Sequence, residues 1–135
     1  MTDSTTTSAS RRFGGIARLY GEAALQRFAA AHVCVVGVGG VGSWAVEALA
    51  RSGIGTLTLI DLDNVAESNV NRQLHALSDA FGMPKVDALA ARIGQINPHC
   101  RVHTVEDFVD ENNLPTLFAQ RFDFVIDAID QVRVK

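Results

Sequence analysis

The sequence predicts an α/β fold of the Rossmann-like, doubly wound kind, with a mainly parallel sheet and helices on both faces. Three observations support this prediction. Short apolar runs alternate with helical patterns along the chain. The first two runs, 33–38 and 56–60, are almost wholly apolar or β-branched, as is typical of strands buried on both faces. A glycine-rich turn and a helical pattern separate these runs, which makes a βαβ unit of about 30 residues.

The composition bounds the class of protein. The 135 residues are 47% hydrophobic and 20% charged, as in globular domains with one hydrophobic core. The net charge of −3 argues against a freestanding nucleic-acid-binding module. The two cysteines lie in no C-x-x-C pair, which argues against a disulfide framework and a zinc site. No apolar run is long enough to span a membrane and no signal peptide is evident, so we expect a cytoplasmic protein with no membrane contact.

The N-terminal part is predicted to be a tail followed by a helix. Residues 1–10 are rich in serine and threonine and are predicted to be disordered, so the ordered domain covers 11–135. Residues 16–31 contain many good helix formers and are predicted to form a helix. The helix after the glycine-rich turn is expected to end at Gly53, where a C-terminal cap belongs.

The middle of the chain is predicted to be a loop followed by a helix. Residues 61–81 are too polar and too weakly periodic for a long helix, so we predict a structured loop with one helical turn near 71–74. Pro84 suits the first position of the next helix, and Pro98 ends that helix. The expected buried face consists of Val86, Leu89, Ala90, Ile93 and Ile96.

The C-terminal part is predicted to add two strands and a helix. The strands are expected at 100–105 and 122–126, with a helix at 110–120 that Pro115 weakens. The sequence stops just past the last strand, with no helix to cover it. Because parallel sheets are normally covered on both faces, we expect that Lys135 is not the natural C-terminus.

The strongest functional signal is GVGGVG at 37–42, which matches G-x-G-x-x-G between a strand and a helix. Gly37 allows a tight turn, Gly39 lets the backbone approach a phosphate, and Gly42 permits close packing of helix on strand. Asp61 follows 19 residues after Gly42, where a carboxylate can accept hydrogen bonds from ribose hydroxyls. We therefore predict a nucleotide-binding site. At this point a nicotinamide-dependent dehydrogenase fits equally well.

Two basic and two acidic residues favour a triphosphate over a dinucleotide. Arg72 and Lys85 are expected near the carboxyl ends of the strands, where an arginine can bridge phosphate oxygens and a lysine acts as a movable charge. Asp127 and Asp130 follow the fourth strand at the same edge, where a carboxylate can bind Mg²⁺ beside the phosphates. Asp127 can equally serve only as a cap, and each of the four can be a solvated loop residue.

Five runs of the sequence resemble the adenylating enzymes related to ubiquitin-activating enzymes, the ThiF superfamily. They are GVGGVG, LTLIDLDNVAESNVNRQ, PK before a helix, INP and DAID, and the resemblance covers 11–135. Bacterial members activate sulfur-carrier proteins. The stretches RRFGGIARLYG and DAIDQVRVK look like the branch that dehydrates threonylcarbamoyladenosine in tRNA to its cyclic form. The resemblance implies that 11–135 is the N-terminal half of a longer adenylating enzyme.

The resemblance also implies roles for individual residues. Arg72 and Lys85 match the basic residues that hold the ATP phosphates, and Asp130 matches the acid tied to Mg²⁺. These three are the candidate catalytic residues, and Asp130 is the candidate metal ligand. Asp61 matches the ribose-binding acid and Asn69 a polar residue that faces the nucleotide. The candidate nucleotide-binding set is Gly37, Gly39, Gly40, Gly42, Asp61, Asp63, Asn69, Arg72 and Lys85.

The sequence departs from the family pattern near both ends. Sulfur-carrier activators usually supply an arginine from near the N-terminus, often across a dimer interface. The matching position is Gly15 here, and Arg12 or Arg18 is the candidate replacement. The usual Asp-Asn pair is Asp130-Gln131, which keeps the acid.

The resemblance implies ATP-dependent dehydration of threonylcarbamoyladenosine in tRNA, through adenylation of its carboxylate. It implies ATP and Mg²⁺ as cofactors, tRNA as partner, a homodimer, and a sulfur-transfer protein as a further candidate partner. One alternative is an adenylyltransferase that activates the C-terminus of a sulfur-carrier or ubiquitin-like protein. A second alternative is a non-catalytic nucleotide-binding domain. A third is a nicotinamide-dependent oxidoreductase, which only the glycine turn and Asp61 support.

Other polar and aromatic residues are assigned no chemical role. His75 is expected to pack the loop, Cys34 to lie in the core and Trp44 to pack the first helix of the βαβ unit. No activating partner is evident for Cys100, and no metal-ligand spacing is found among His32, His99 and His103.

Overall fold

The computed structural model describes residues 4–129, which form a four-stranded parallel sheet with helices on both faces. The strands are β1 (His32–Val36), β2 (Thr56–Ile60), β3 (Arg101–Val105) and β4 (Phe124–Asp127). The helices are α1 (Ser4–Tyr20), α2 (Glu22–Ala30), α3 (Gly42–Arg51), α4 (Lys85–Ile96) and α5 (Leu114–Leu117). The strands lie in the order β3-β2-β1-β4, and every pair is parallel. This confirms the predicted fold class.

β1 and β2 form the centre of the sheet, and nearly all of their side chains are therefore buried. Successive side chains point to opposite faces of a strand. Val35 and Leu59 accordingly belong to the core shared with α3 and α4. Cys34 and Ile60 belong to a smaller cluster on the other face, where Leu117 of α5 packs. The predicted core position of Cys34 is confirmed, since its side chain is fully buried.

The strand order places the glycine-rich turn at a topological switch point. β1 pairs with β2 on one side, to which the chain passes through α3, and with β4 on the other. Such a reversal opens a crevice at the carboxyl ends of the strands, where α/β proteins bind ligands. The fold therefore positions the 37–42 turn, the end of β2 and the end of β4 around one crevice.

The N-terminal region differs from the predicted tail and single helix. The helix starts at Ser4, within the predicted tail, and the predicted helix at 16–31 is divided between α1 and α2. Gly21 separates them because its φ of +94° lies in the left-handed region, which glycine adopts without steric cost. The extension to Ser4 is consistent with helix propagation, since lengthening a helix costs less than nucleating one.

Two predicted helix boundaries depend on glycine and proline. Gly53 follows α3 with a φ of +86°, which confirms the predicted C-terminal cap. Its N–H donates to the carbonyl oxygen of Ala50 at 3.2 Å. Helix α4 begins at Lys85, one residue later than predicted, so Pro84 is its N-cap and not its first residue. The Pro84 carbonyl oxygen accepts the N–H groups of Asp87 and Ala88 at 3.1 Å.

The predicted helix at 110–120 is reduced to the four residues of α5. Pro115 lies in its first turn, the part of a helix that tolerates a proline. Before that turn, Asp110 Oδ1 accepts the N–H groups of Asn112 and Asn113 at 2.9 Å, so local side-chain bonds hold the chain in a loop. The helix therefore begins later than predicted.

The long segment after β2 is irregular, as predicted. It contains two 3₁₀ turns, at Glu67–Asn69 and Ser78–Ala80, instead of one helical turn at 71–74. The strand bounds differ from the predicted ones by at most two residues. In the part of the chain from Ser4 to Ile129, no helix has the length and apolar character needed to cross a membrane.

Candidate functional site

The glycine turn is shaped by contacts that leave no room for side chains. Gly37 has a φ of +88°, and a Cβ atom there would lie 3.0 Å from the carbonyl carbon and oxygen of Ala128, just after β4. A Cβ atom on Gly42 would lie 1.7 Å from the carbonyl oxygen of Gly37. The turn therefore packs tightly between α3 and the end of β4, as the glycine spacing predicts.

Several backbone groups of the turn are bonded to the protein, while successive N–H groups have no partner within 4–129. Val38 N–H donates to Asp61 Oδ2 at 2.8 Å. The Gly39 carbonyl oxygen accepts Ser43 N–H at 3.1 Å and Ser43 Oγ–H at 2.5 Å. By contrast, the N–H groups of residues 39–42 donate to no atom within 4–129. Consecutive unpaired amides at the start of a helix form an anion-binding site, which fits a phosphate.

Asp61 follows β2, and its carboxylate bonds to the backbone of the glycine turn and of its own loop. Its Oδ2 accepts Val38 N–H and its Oδ1 accepts Asp63 N–H, both at 2.8 Å. A carboxylate has about four acceptor positions, so two hydrogen bonds leave capacity for ribose hydroxyls. Asp61 thus orients the glycine turn and can still bind a sugar.

Arg72 lies directly against the glycine turn. A Cβ atom on Gly40 would lie 3.5 Å from Arg72 Cγ, so the side-chain stem covers the turn at this glycine. The guanidinium donates from Nη1 to the Ser68 carbonyl oxygen at 3.1 Å and to Asn71 Oδ1 at 2.8 Å, both neutral acceptors. Trp44 Nε1–H donates to the Arg72 carbonyl oxygen at 2.9 Å, which anchors the Arg72 backbone to α3.

Lys85 begins α4 and is 6% exposed, which is rare for a lysine. Its Nζ lies 3.9 Å from Asp63 Oδ2, and its N–H donates to the Asp63 carbonyl oxygen at 3.0 Å. Asp63 is largely exposed, so the ion pair is only loosely formed. Among residues 4–129, Asp63 is the one carboxylate within ion-pair distance of this nearly buried ammonium.

Asn69 is bound within its own loop. It is 8% exposed, and its Oδ1 accepts Ala66 N–H at 2.9 Å. Its carbonyl oxygen accepts the N–H groups of Arg72 at 3.2 Å and Gln73 at 2.9 Å. Asn69 therefore shapes the segment that carries Arg72, and its contact with a nucleotide stays a prediction.

The predicted magnesium ligand cannot be placed. Asp130 lies outside the described residues. Asp127 ends β4, and its Oδ1 accepts Ile129 N–H at 3.2 Å, so it caps the turn there. Within 4–129 no group of three or more metal-ligating side chains is found. The Mg²⁺ site stays a prediction.

The two N-terminal arginines lie away from the glycine turn of this chain. Arg12 Nη1 donates to the carbonyl oxygens of Gln95 at 3.1 Å and Ile96 at 3.2 Å, at the end of α4 opposite to Lys85. Arg18 lies against its own helix, since a Cβ atom on Gly14 would be 3.4 Å from its Nη1. The structure of one chain therefore brings neither arginine to the crevice.

Three residues without a predicted chemical role hold the site together. Ser43 is fully buried and links the turn to the Arg72 segment, because its Oγ also accepts Leu74 N–H at 3.2 Å. Trp44 is 52% exposed, and its bond to the Arg72 carbonyl group joins α3 to the Arg72 segment. His75 Nε2 lies 2.8 Å from the Val38 carbonyl oxygen. Sequence spacing gives no signal for these contacts, which join segments about 30 residues apart.

His75 has an electrostatic environment that keeps it neutral. Its pKa is lowered overall, mainly by burial and further by the charge of Lys85. The hydrogen bond with Val38 and the charge of Asp61 oppose this shift but do not cancel it. Its Nδ1 is one of two buried polar side-chain atoms with no hydrogen-bond partner within 4–129. The other is Oε1 of Gln73, whose carboxamide lies beside Gly39. Both residues contact the glycine turn, His75 through Nε2 and Gln73 through its carboxamide.

The chain is similar to proteins of known activity. It is 61% identical over 125 residues to tRNA threonylcarbamoyladenosine dehydratase of Escherichia coli, which covers 93% of this chain and 47% of the relative. It is 39% identical over 103 residues to molybdopterin-synthase adenylyltransferase of the same organism, covering 76% of this chain and 41% of the relative.

The fold is also similar to a solved structure. The crystal structure of the E. coli dehydratase in complex with ATP matches with a TM-score of 0.93 and 59% identity, over 94% of this chain and 52% of that one. The chain thus spans about half the length of these dehydratase matches. The model of the ThiF family matches residues 12–135. The chain therefore belongs to the ThiF family.

Proposed function

We propose that this domain binds ATP and serves the dehydration of threonylcarbamoyladenosine in tRNA, in which a carboxylate is adenylated and then displaced. The observation that carries the proposal is the 61% identity to a dehydratase of that name, against 39% to an adenylyltransferase. The unpaired amides and the two cations at the glycine turn supply the nucleotide site that such chemistry needs.

The reaction begins with a poor electrophile. A carboxylate is anionic, and its leaving group would be oxide. A carboxylate oxygen of the modified base attacks the α-phosphorus of ATP, the bond to the β-phosphate breaks, and pyrophosphate leaves. A nitrogen of the same group then attacks the acyl carbon, loses its proton, and AMP leaves. The nucleoside loses one water in total.

The protein contributes position and charge. The unpaired N–H groups of 39–42 would hold phosphate oxygens, and Asp61 would hold the ribose. Arg72 and Lys85 would offset negative charge that builds on the leaving pyrophosphate. The proposal retains Mg²⁺ on Asp130 as a further source of positive charge, and no step depends on it.

The proposal extends to assembly and partners. Because neither Arg12 nor Arg18 reaches the crevice within one chain, a second copy would have to bring such an arginine, which agrees with the expected homodimer. The tRNA substrate implies a cytoplasmic location. A sulfur-transfer protein stays a candidate partner.

The test uses the complete protein. It is incubated with ATP, Mg²⁺ and tRNA that carries threonylcarbamoyladenosine, and the digested nucleosides are weighed by mass spectrometry. We expect an ATP-dependent loss of one water, and no loss with the Lys85→Ala variant. An unchanged mass from a protein that binds ATP would contradict the proposal. Adenylation of a sulfur-carrier protein would then support the alternative.

A further inference from the structure

His75 contacts the glycine turn at the point where the turn becomes an anion site. Its Nε2 lies 2.8 Å from the Val38 carbonyl oxygen, and the histidine is only 4% exposed. A carbonyl oxygen only accepts hydrogen bonds, so Nε2 must carry the proton. Nδ1 has no hydrogen-bond partner within 4–129, which agrees with the neutral Nε2–H tautomer.

The Val38 carbonyl group determines where the next N–H group points. The carbonyl of Val38 and the N–H of Gly39 belong to one planar trans peptide unit, in which they point in opposite directions. A bond from His75 to the carbonyl oxygen therefore turns the Gly39 N–H to the side away from His75. That N–H is the first of the consecutive unpaired amides of 39–42.

A neighbouring glycine makes this orientation easy to lose. Gly39 has no Cβ atom, so its backbone samples many conformations at low cost, and the 38–39 peptide unit can rotate. Rotation would direct the carbonyl oxygen of Val38, with its partial negative charge, toward a phosphate. Asp61 fixes the peptide unit before it through Val38 N–H, and Ser43 fixes the unit after it through the Gly39 carbonyl. Among the residues from Ser4 to Ile129, only His75 bonds to the unit between them.

We propose that His75 is a positioning residue of the nucleotide site, which holds the 38–39 peptide unit so that the Gly39 N–H faces the phosphates. The inference rests on the proposed ATP site and goes beyond it, since it requires a donor at one atom of one side chain. A residue that only packs the loop would not depend on the position of a donor.

Two conservative variants separate these roles. In His75→Gln the amide nitrogen can occupy the position of Nε2 and donate to Val38. In His75→Asn the shorter side chain reaches only the position of Nδ1. We expect the Asn variant to raise the Kd for ATP, measured by calorimetry, about tenfold. We expect the Gln variant to stay within about threefold of the natural protein.

The matched control is His32. Its Nε2 also makes a hydrogen bond, to Thr58 Oγ1 at 2.7 Å, but it starts β1 at the opposite edge of the sheet. His32→Gln and His32→Asn should leave the Kd for ATP unchanged. A thermal melt of each variant records stability separately from binding.

The outcomes are distinguishable. Equal ATP affinity in the Gln and Asn variants would overturn the inference, and so would a loss of affinity in both. Nitrogen NMR of the natural protein needs no variant, and an Nδ1–H tautomer or a charged imidazole at neutral pH would also overturn it. Because these measurements use no tRNA, a protein that binds ATP but fails to dehydrate tRNA would contradict only the proposed function.

Discussion

The two ends of the α3–α4 layer contain arginine or lysine side chains in opposite electrostatic situations. Further along α3 and α4, Arg92 binds both carboxylate oxygens of Glu47, at 2.7 and 2.8 Å, and Arg51 adds a bond at 2.9 Å. At the turn, within residues 4–129, Arg72 bonds to two neutral acceptors, and the carboxylate within ion-pair distance of Lys85 is that of Asp63, at 3.9 Å. Arg92 therefore has its charge balanced by Glu47, whereas the residues of 4–129 balance the charges of Arg72 and Lys85 much less.

The comparison shows why a list of basic residues does not identify a site. A cavity of about 400 Å³ lies at the Arg92 end, lined by Arg12, Arg51 and Arg92 among others. Arg51 and Arg92 share one carboxylate and Arg12 bonds to the last carbonyl groups of α4, so these arginines hold helices together. The cations near unpaired backbone amides lie at the other end.

The largest expected effect is on the turnover rate of the proposed reaction. Lys85→Ala or Arg72→Ala should lower turnover about 100-fold or more, because each removes charge that stabilises the leaving phosphates. Arg92→Ala, the matched control from the other end, should keep turnover within a few-fold. Steady-state rates and far-UV circular dichroism on the complete protein check this. Near-full activity of the Lys85 or Arg72 variant would refute its assigned role.

A smaller effect is expected from filling the turn. Gly42→Ala places a Cβ atom 1.7 Å from the Gly37 carbonyl oxygen, so the backbone must shift, and we expect a loss of about 1–3 kcal/mol in the free energy of unfolding. ATP binding should be lost as well. Gly94→Ala is the control, since a Cβ atom on this α4 glycine has no neighbour within 4 Å.

The Gly94→Ala variant should gain about 0.5–1 kcal/mol, because alanine is the better helix former. Urea unfolding measures both variants. Equal stability of the two would show that the turn is looser than its contacts indicate.

The smallest effect is a pH dependence at the Arg92 end. Hydrogen bonding from Arg92, opposed by burial and assisted by Arg51, lowers the pKa of Glu47 from 4.5 to about 2. The carboxylate is favoured in the folded state, so its stabilisation is present above pH 4.5 and is lost as the pH falls from 4.5 towards 2. Glu47→Gln should remove that part of the pH dependence. The free energy of unfolding of the variant and of the natural protein is measured between pH 4.5 and 2. If it falls equally with pH in both, the assignment is contradicted.

Sequence patterns predicted the features that depend on local chemistry. Strand and helix periodicity indicated the parallel sheet, and the glycine spacing indicated the turn after β1. Arg72 was predicted to lie at the carboxyl edge of the sheet and does lie against the turn. Lys85 was predicted at the same edge and is found at the start of α4. The position of Arg72 could be predicted because the loop after β2 leaves the sheet at its carboxyl edge, where the glycine turn also lies.

Other features could not be read from spacing. The division at Gly21 depends on a φ of +94°, which a single sequence does not reveal within a run of good helix formers. The spacing gives no sign of the bond from Ala66 N–H to Asn69 Oδ1, which shapes the loop before Arg72. The spacing also gives no sign of the bond from the Trp44 indole N–H to the Arg72 carbonyl oxygen.

The sequence by itself determined the fold class, the glycine turn and the cations beside it, because periodicity, glycine freedom and chain direction are local properties. Tertiary structure alone decided which charges are balanced and which peptide groups are held. Glu47 and Arg92 are 45 residues apart, and Val38 and His75 are 37 apart. Such pairs meet only when the sheet and helices have packed, and the direction of one hydrogen bond then decides whether an amide can face a phosphate.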